Sequence, residues 1–399
     1  MAKMGDNTSR KSAKPGKGAA LDAGDATVQP ASTPVGTPGT SASTPIGMSA
    51  GPAPRKVINR LTTLAMAARS AMGRYPQDVV ASIRGQRGLA RLSKDVVGIS
   101  GLAAPSLAES WAAAIAQEPE AVGHDGKVSG VSGASLVCWL GHCTVLMRIG
   151  GMTVLTDPVL SHRIGVRVGP LVVGPHRQGG PAIDPETLPP IDLVLVSHAH
   201  FDHLDKPTLR KLARPSVQVI TAKGTGGLIP RGFGDVIELP WGQSTEVRGV
   251  KLRAMKPAHW GARTAWDRHR QFSSYVLDAA GDRVLFAGDS GHTDAFDSLG
   301  PIKLGIFGIG AYRPWIDAHA DPEQVMAMAR AAGVRWLLPV HHSTFRLSDE
   351  PMGEPMERLL AAGRQSAVSG GARGTPAPEM REGPALVRPG IGQVVALGQ

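Results

Sequence analysis

His198-Ala199-His200-Phe201-Asp202-His203 constrains this chain more than any other stretch. Three imidazoles and a carboxylate fall within six residues, directly after the apolar run Ile191–Val196. A packed core does not gather so many polar groups unless something strong holds them, because burying them unpaired is costly. Imidazole nitrogens and carboxylate oxygens are the donor set that suits zinc. The fold must therefore bring a strand end to a place where metal can sit, and the spacing points to two metals rather than one.

Ile191–Val196 reads as a buried strand of β-branched and aliphatic residues. In extended chain, residues two apart point the same way, so His198 and His200 aim at one point. Leu204, Leu209 and Leu212 continue at helical spacing through Lys206–Ala213, with Pro207 in the first turn. A turn at Phe201 swings Asp202 and His203 onto a neighbouring point. Both half-sites are short of ligands, and three other strand-like runs end in candidates. Val250–Lys256 leads to His259-Trp260, Arg283–Ala287 leads to Gly288-Asp289-Ser290, and Trp336–Val340 leads to His341-His342. Alone, each is an ordinary loop histidine or turn. Together they are ligands on the strand-end loops of a rigid sheet.

With these residues the sequence resembles the metallo-β-lactamase superfamily. Within it, the chain is most similar to the branch of N-acylphosphatidylethanolamine-hydrolysing phospholipases D. The shared words include Trp139–Val145, Leu155-Thr156-Asp157-Pro158, Ser197–Asp205, His259-Trp260 with Arg263-Thr264, Phe286–Asp289, Gly308–Tyr312, His319–Glu323, and Val340-His341 with Thr344-Phe345. The resemblance implies an α/β fold, a four-layer αββα sandwich with the metals at one edge of its two sheets. It implies two Zn2+, or other divalent metals, with His198, His200 and His259 on one and Asp202, His203 and His341 on the other. Asp289 would bridge them. His341 follows the strand directly and aligns with the branch histidine; His342 is the alternative. Asp202, Asp289 and His319 are the expected catalytic residues, with His319 near the scissile phosphate. Two such metals hold a hydroxide at neutral pH and clamp the oxygens of a displacement, which fixes hydrolysis as the reaction class without choosing the bond. The segment between Arg263 and Phe272 and the N-terminal part both depart from the animal enzymes.

Other residues are weaker candidates. His142 reads equally as a structural histidine and as one that stands behind the ligands or contacts substrate, and Asp157 before Pro158 as a turn cap with a role behind the ligands as the alternative. Trp260, Tyr312 and Trp315 belong to the same loops and read as core or pocket lining.

The 399 residues suffice for one large domain or two ordinary ones, and the 42% hydrophobic content is that of a globular protein. No apolar stretch is long enough to span a bilayer. Met1–Lys17 is basic and polar without the apolar centre of a secretory signal. Cys138 and Cys143, the only cysteines, indicate no disulfide framework, and a cytoplasmic location is expected. Part of the net charge of +10 sits in the tail, and no basic stripe with interleaved aromatics suggests nucleic acid.

Four regions are expected: a disordered tail over 1–53, a helical extension over 54–134, the catalytic domain over 135–364, and a loose segment over 365–399 with a last strand at Val394–Leu397. Val57 through Met72 forms an amphipathic basic helix, packed on the catalytic domain or lying on a membrane surface. The leading function is a dinuclear zinc phosphodiesterase of phospholipase D type, acting on a lipid or small-molecule phosphodiester in the cytoplasm, with membrane association through the 57–72 helix. The alternative is a lactonase or other carbonyl-ester hydrolase acting on a small anionic substrate.

Overall fold

Period-two alternation in the strands decides the layering. In a computed structural model of the chain, residues 105–117, 134–179, 183–264, 266–297, 299–368 and 383–398 are described. The expected tail over 1–53, the 57–72 helix and most of the Gly- and Pro-rich stretch after 365 lie outside them. The chain divides into units Met1–Pro54 and Arg55–Gln399, and every described residue belongs to the second.

The first strands are β1 (Ala134–Trp139), β2 (Val145–Ile149), β3 (Met152–Thr156), β4 (Val166–Val168), β5 (Leu171–Val173), β6 (Leu193–Val196), β7 (Gln218–Ala222) and β8 (Val236–Leu239). The second half contributes β9 (Ser244–Val247), β10 (Val250–Met255), β11 (Ser274–Ala279), β12 (Asp282–Phe286), β13 (Ile302–Gly308), β14 (Val334–Val340), β15 (Ala385–Leu386) and β16 (Val394–Ala396). The helices are α1 (Leu107–Ala116), α2 (Lys206–Leu212), α3 (Pro322–Ala331) and α4 (Glu354–Val368).

Two seven-stranded sheets result, ordered β16-β1-β2-β3-β6-β7-β8 and β15-β14-β13-β12-β11-β10-β9, beside the small hairpin β4-β5. Val137, Val145, Met147, Val154, Leu193 and Leu195 from the first sheet pack against Leu252, Tyr275, Leu277, Val284, Phe286, Leu304 and Leu338 from the second. The alternate residues face outwards. Leu136, Leu146, Leu155, Val194 and Val219 meet Trp111 of α1 and Leu209 and Leu212 of α2. Leu285, Ile302 and Leu337 meet Val325, Met326 and Ala329 of α3 and Leu359 of α4. This is the αββα sandwich: each sheet buries one face on the other and one on helices.

Strand direction then assembles the site. β1, β2 and β3 are antiparallel in turn, while β3, β6, β7 and β8 run parallel, so β1, β3 and β6 finish at the same edge. In the second sheet β10, β11 and β12 are antiparallel in turn, and β12, β13 and β14 run parallel. The C-terminal ends of β10, β12, β13 and β14 therefore share an edge. Those ends carry the sequence candidates.

Most of the expected elements are present. Gly150 and Gly151, at φ 57° and 74°, close the β2–β3 hairpin. Asp321 caps α3 by accepting from the Gln324 amide, and the last strand pairs with β1. Asp294–Leu299, whose sequence reads as a short helix, is instead a pair of turns, with Asp297 and Leu299 amides bonding three residues back. Six residues before Gly300-Pro301 are too few to repay helix nucleation; Phe296 is drawn fully into the core, with Ala295 and Leu299 partly buried against it. Conversely β9, polar in sequence, forms because Arg248 and Gly249 adopt φ 48° and 82° and turn it back onto β10. Among the described residues no helix is long and apolar enough to cross a membrane.

Candidate metal centre

Five loops converge at the shared edge. The loop after β6 carries His198, His200, Asp202 and His203; those after β10, β12, β13 and β14 carry His259, Asp289, His319 and His341. Asp289 is the hub. Its Oδ2 lies 2.9 Å from His203 Nε2, 3.3 Å from His341 Nε2, 3.7 Å from His259 Nε2, 3.8 Å from His198 Nε2 and 3.9 Å from His319 Nδ1. Two donor groups share it: His198, His200, His259 and Asp289 form one, and Asp202, His203, His341 and Asp289 the other, with ligand atoms within 4.8 Å of one another in each. All seven residues expected to hold metal thus come together, and His319 stands beside them.

His341 is the histidine that turns inwards. Its Nε2 lies 3.4 Å from Asp202 Oδ2, and its left-handed φ of 59° reverses the chain just past β14. His342 points elsewhere, stacking on Trp139 at 4.9 Å and bonding Ser343 Oγ.

Supporting hydrogen bonds decide which ring nitrogen faces the centre. His203 Nδ1 donates to Asp157 Oδ2 at 2.6 Å. Ser197 donates its hydroxyl to the same oxygen and its amide to Asp157 Oδ1. With the Ser197 proton so engaged, its oxygen accepts from His198 Nδ1 at 2.9 Å. His259 Nδ1 donates to the Ala318 carbonyl at 3.0 Å. His198, His203 and His259 therefore all turn Nε2 inwards, the arrangement that orients imidazoles for a metal. His200 Nδ1 then sits 2.8 Å from His198 Nε2 and 3.4 Å from His259 Nε2.

The donor set fits divalent cations on a second observation. Both carboxylate oxygens of Asp289, His203 Nε2 and His341 Nε2 are buried without a hydrogen-bond partner among the described residues. Orphaned polar atoms of that kind are rare in a native interior. Nitrogen and carboxylate donors at this density suit zinc and its neighbours.

Without metal, protons compensate part of the charge. Burial opposes charge on His203, yet Asp289 and Asp202 outweigh it and hold its pKa well above the usual value. The same contest pushes His341 up to about 9. Burial dominates at His200, held down to about 4, and at His259 and His319, both to about 3. Asp289 stays well below the usual carboxylate range: burial works against its charge, but His203, His341 and His319 prevail.

Three supporting residues carried little signal in the sequence. His142 places Nε2 3.1 Å from Asp202 Oδ2, Cys143 lies fully buried within reach of His203 and His341, and Asp157 holds His203 and Ser197. His142 and Cys143 follow β1 and Asp157 follows β3, far in sequence from the ligand motif; only the sheet order and strand directions bring those strand ends to the edge where β6 finishes. Arg263 is a further one. Its Nη1 donates to the carbonyls of Ala199 at 2.8 Å and Leu204 at 3.0 Å, and its guanidinium lies 3.9 Å from the Phe201 ring centroid.

Comparison with known proteins bears on the family. A family described as a beta-lactamase superfamily domain matches residues 152–342. An uncharacterised protein of Mycobacterium tuberculosis is 34% identical over 252 residues, covering 58% of this chain and 65% of that protein. N-acyl-phosphatidylethanolamine-hydrolyzing phospholipase D 1 of Caenorhabditis elegans is 30% identical over 248 residues, covering 55% of this chain and 67% of the worm protein. The mitochondrial enzyme of the same description from Saccharomyces cerevisiae is 31% identical over 238 residues, covering 55% of this chain and 50% of the yeast protein. The chain thus spans a little under two thirds of the mycobacterial relative and half of the yeast one. With the αββα layers, the convergent donors and these relatives in hand, the chain belongs to the metallo-β-lactamase superfamily.

Proposed function

We propose that the chain is a hydrolase carrying two divalent metal ions, zinc by donor type, and that it cleaves phosphodiesters in the manner of a phospholipase D. N-acylphosphatidylethanolamine-like lipids are the favoured substrate class. His198, His200 and His259 would hold one ion and Asp202, His203 and His341 the other, with Asp289 shared. Bound there, such ions supply Lewis acidity and bring the pKa of a water down to about 7.

The protein's own groups do the rest. Asp289 ties the two donor groups together through one oxygen, so neither can move without the other. Asp202 keeps its carboxylate 15% exposed, the most open of the acidic donors, and is placed to accept a proton from the attacking water. His319 is 11% exposed and borders the same centre, so its imidazole can hydrogen-bond the departing alkoxide. Asp157 and Ser197 hold His203 and His198 in the tautomer that leaves Nε2 free.

The observation that carries this reading is the position of Asp289 Oδ2 among imidazoles from four other loops. The phosphodiester choice is supported by the likeness to the worm and yeast proteins and by their names. A substrate panel tests it. Turnover of bis-p-nitrophenyl phosphate and of an N-acylphosphatidylethanolamine, with no lactone opening, is expected. Lactone opening without phosphodiester turnover would replace the reading with a carbonyl-ester hydrolase.

A further inference from the structure

His142 and Cys143 belong to neither of the two donor groups, yet the turn that carries them between β1 and β2 is fixed from several sides. The Thr144 amide donates to the Gly141 carbonyl at 3.0 Å, and the Thr156 hydroxyl to the Cys143 carbonyl at 2.8 Å. The His341 amide at 3.2 Å and Trp139 Nε1 at 2.8 Å both donate to the His142 carbonyl. The turn is thereby tied to the end of β14, on rigid elements, as a preorganised site requires.

Its side chains meet two of the ligands. Ligand atoms of His142, Cys143, His203 and His341 all lie within 4.8 Å of one another, and all four residues are buried. The His142 and His341 rings are 4.2 Å apart at their centroids. Sulfur and nitrogen donors bound tetrahedrally to one ion stand about 3.5 Å apart, so side-chain shifts of about 1 Å close this group. Two of its nitrogens have no other use. His142 Nε2 meets Asp202, but His142 Nδ1 has no partner among the described residues, and neither has His341 Nδ1. The outer nitrogen of a metal-binding imidazole ordinarily donates to a carboxylate or carbonyl, as those of His203 and His259 do. Orphaned lone pairs beside a buried sulfur suit a cation. Plain packing explains Cys138, which lies among Leu136 and Leu146 on the helix-facing side of β1, but not these nitrogens.

We propose that His142, Cys143, His203 and His341 form a further metal seat, softer than the carboxylate-bearing groups and selective for a thiophilic ion such as cadmium or cuprous copper. Thiolate sulfur is the donor that makes that selection. On binding, the Cys143 thiol gives its proton to solvent and a lone pair to the metal. His203 and His341 serve both sets, so an ion in this seat excludes the second ion of the hydrolytic pair. That exclusion rests on the dinuclear reading; the seat itself does not.

Cadmium alone, titrated into the full-length protein as purified, tests the proposal. A sulfur-to-cadmium charge-transfer band should saturate at about one ion per chain, with about one zinc released. Cys143→Ala should abolish the band and weaken cadmium binding by about tenfold or more, while still holding about two zinc ions. Cys138→Ala should keep the band. If Cys143→Ala does not fold, cadmium NMR of the parent protein decides: a resonance in the range of sulfur ligation is expected, and one in the range of nitrogen and oxygen donors overturns the seat. No band, or a band that persists without Cys143, overturns it while the dinuclear reading survives. Loss of zinc in Cys143→Ala places the sulfur in the zinc set and overturns a separate seat. A Cys143-dependent band in a protein that holds no zinc upholds the seat and sinks the dinuclear reading.

Discussion

Asp157 Oδ2 lies 2.6 Å from His203 Nδ1 and, through Ser197, also governs His198. One buried carboxylate from β3 therefore sets the ring that faces inwards in both donor groups. Asp157→Asn leaves a single acceptor oxygen for donors that now use two. Metal affinity should fall by about 10–100-fold, the usual cost of losing such a supporting partner. Chelator competition followed by metal analysis reads this directly, and an unchanged affinity would show that Asp157 only caps its turn.

Arg263 should matter to the ligand-bearing turn although it is not itself a metal donor. It satisfies the Ala199 and Leu204 carbonyls at 2.8 and 3.0 Å and packs over Phe201. Burial pushes its pKa down to about 10, leaving it charged at neutral pH. Arg263→Met strips those carbonyls of their donor and should cost about 2 kcal/mol in denaturant unfolding. Arg263→Lys should recover only part of this, because one ammonium cannot reproduce the planar fork. Equal stability of all three proteins would contradict the account.

Gly310 is required by close approach. A Cβ there would sit 2.2 Å from the His341 carbonyl oxygen, which is backbone and cannot rotate aside. Gly310→Ala should destabilise the fold by about 3 kcal/mol and displace His341, lowering metal content with it. A urea midpoint and metal content both matching the parent protein would refute this.

The pH dependences of metal binding and of metal-free stability should have opposite signs. In the metal-free protein Asp289 and Asp202 overcome burial and raise the His341 pKa to about 9, above an unfolded value of about 6.5. The stabilisation from that shift is complete below about 6.5 and disappears as pH climbs through about 9. Metal needs the same imidazole neutral, so its affinity should climb over that interval, by up to about tenfold per pH unit for each proton displaced. Chelator competition and denaturation of the metal-free protein at matched pH values check both signs, and a flat profile in both would contradict them.

Much of this centre was legible because its signals are local. His198, His200, Asp202 and His203 announce themselves by spacing after an apolar strand, and His259, Asp289 and His341 each end a recognisable apolar run. For His142 and Asp157 a supporting role was legible only as one of two alternatives, since what recruits them is the finish of β1 and β3 at the same edge as β6, a property of sheet order and strand direction. Arg263, in sequence, is one more loop arginine. Its guanidinium instead binds main-chain carbonyls, which sequence cannot display. The strand β9 has no apolar pattern for a related reason: Ser244-Thr245-Glu246 is polar because it lies at a sheet edge, and the turn that folds it back is an Arg-Gly pair.

The number of metal ions held per chain tests the central claim most directly. Protein purified without chelator should carry about two, while His259→Ala and His341→Ala should each retain about one with the fold intact by circular dichroism. Parent protein with no tightly held metal, or variants that hold as much as the parent, would contradict the convergence on Asp289 as a metal-holding arrangement.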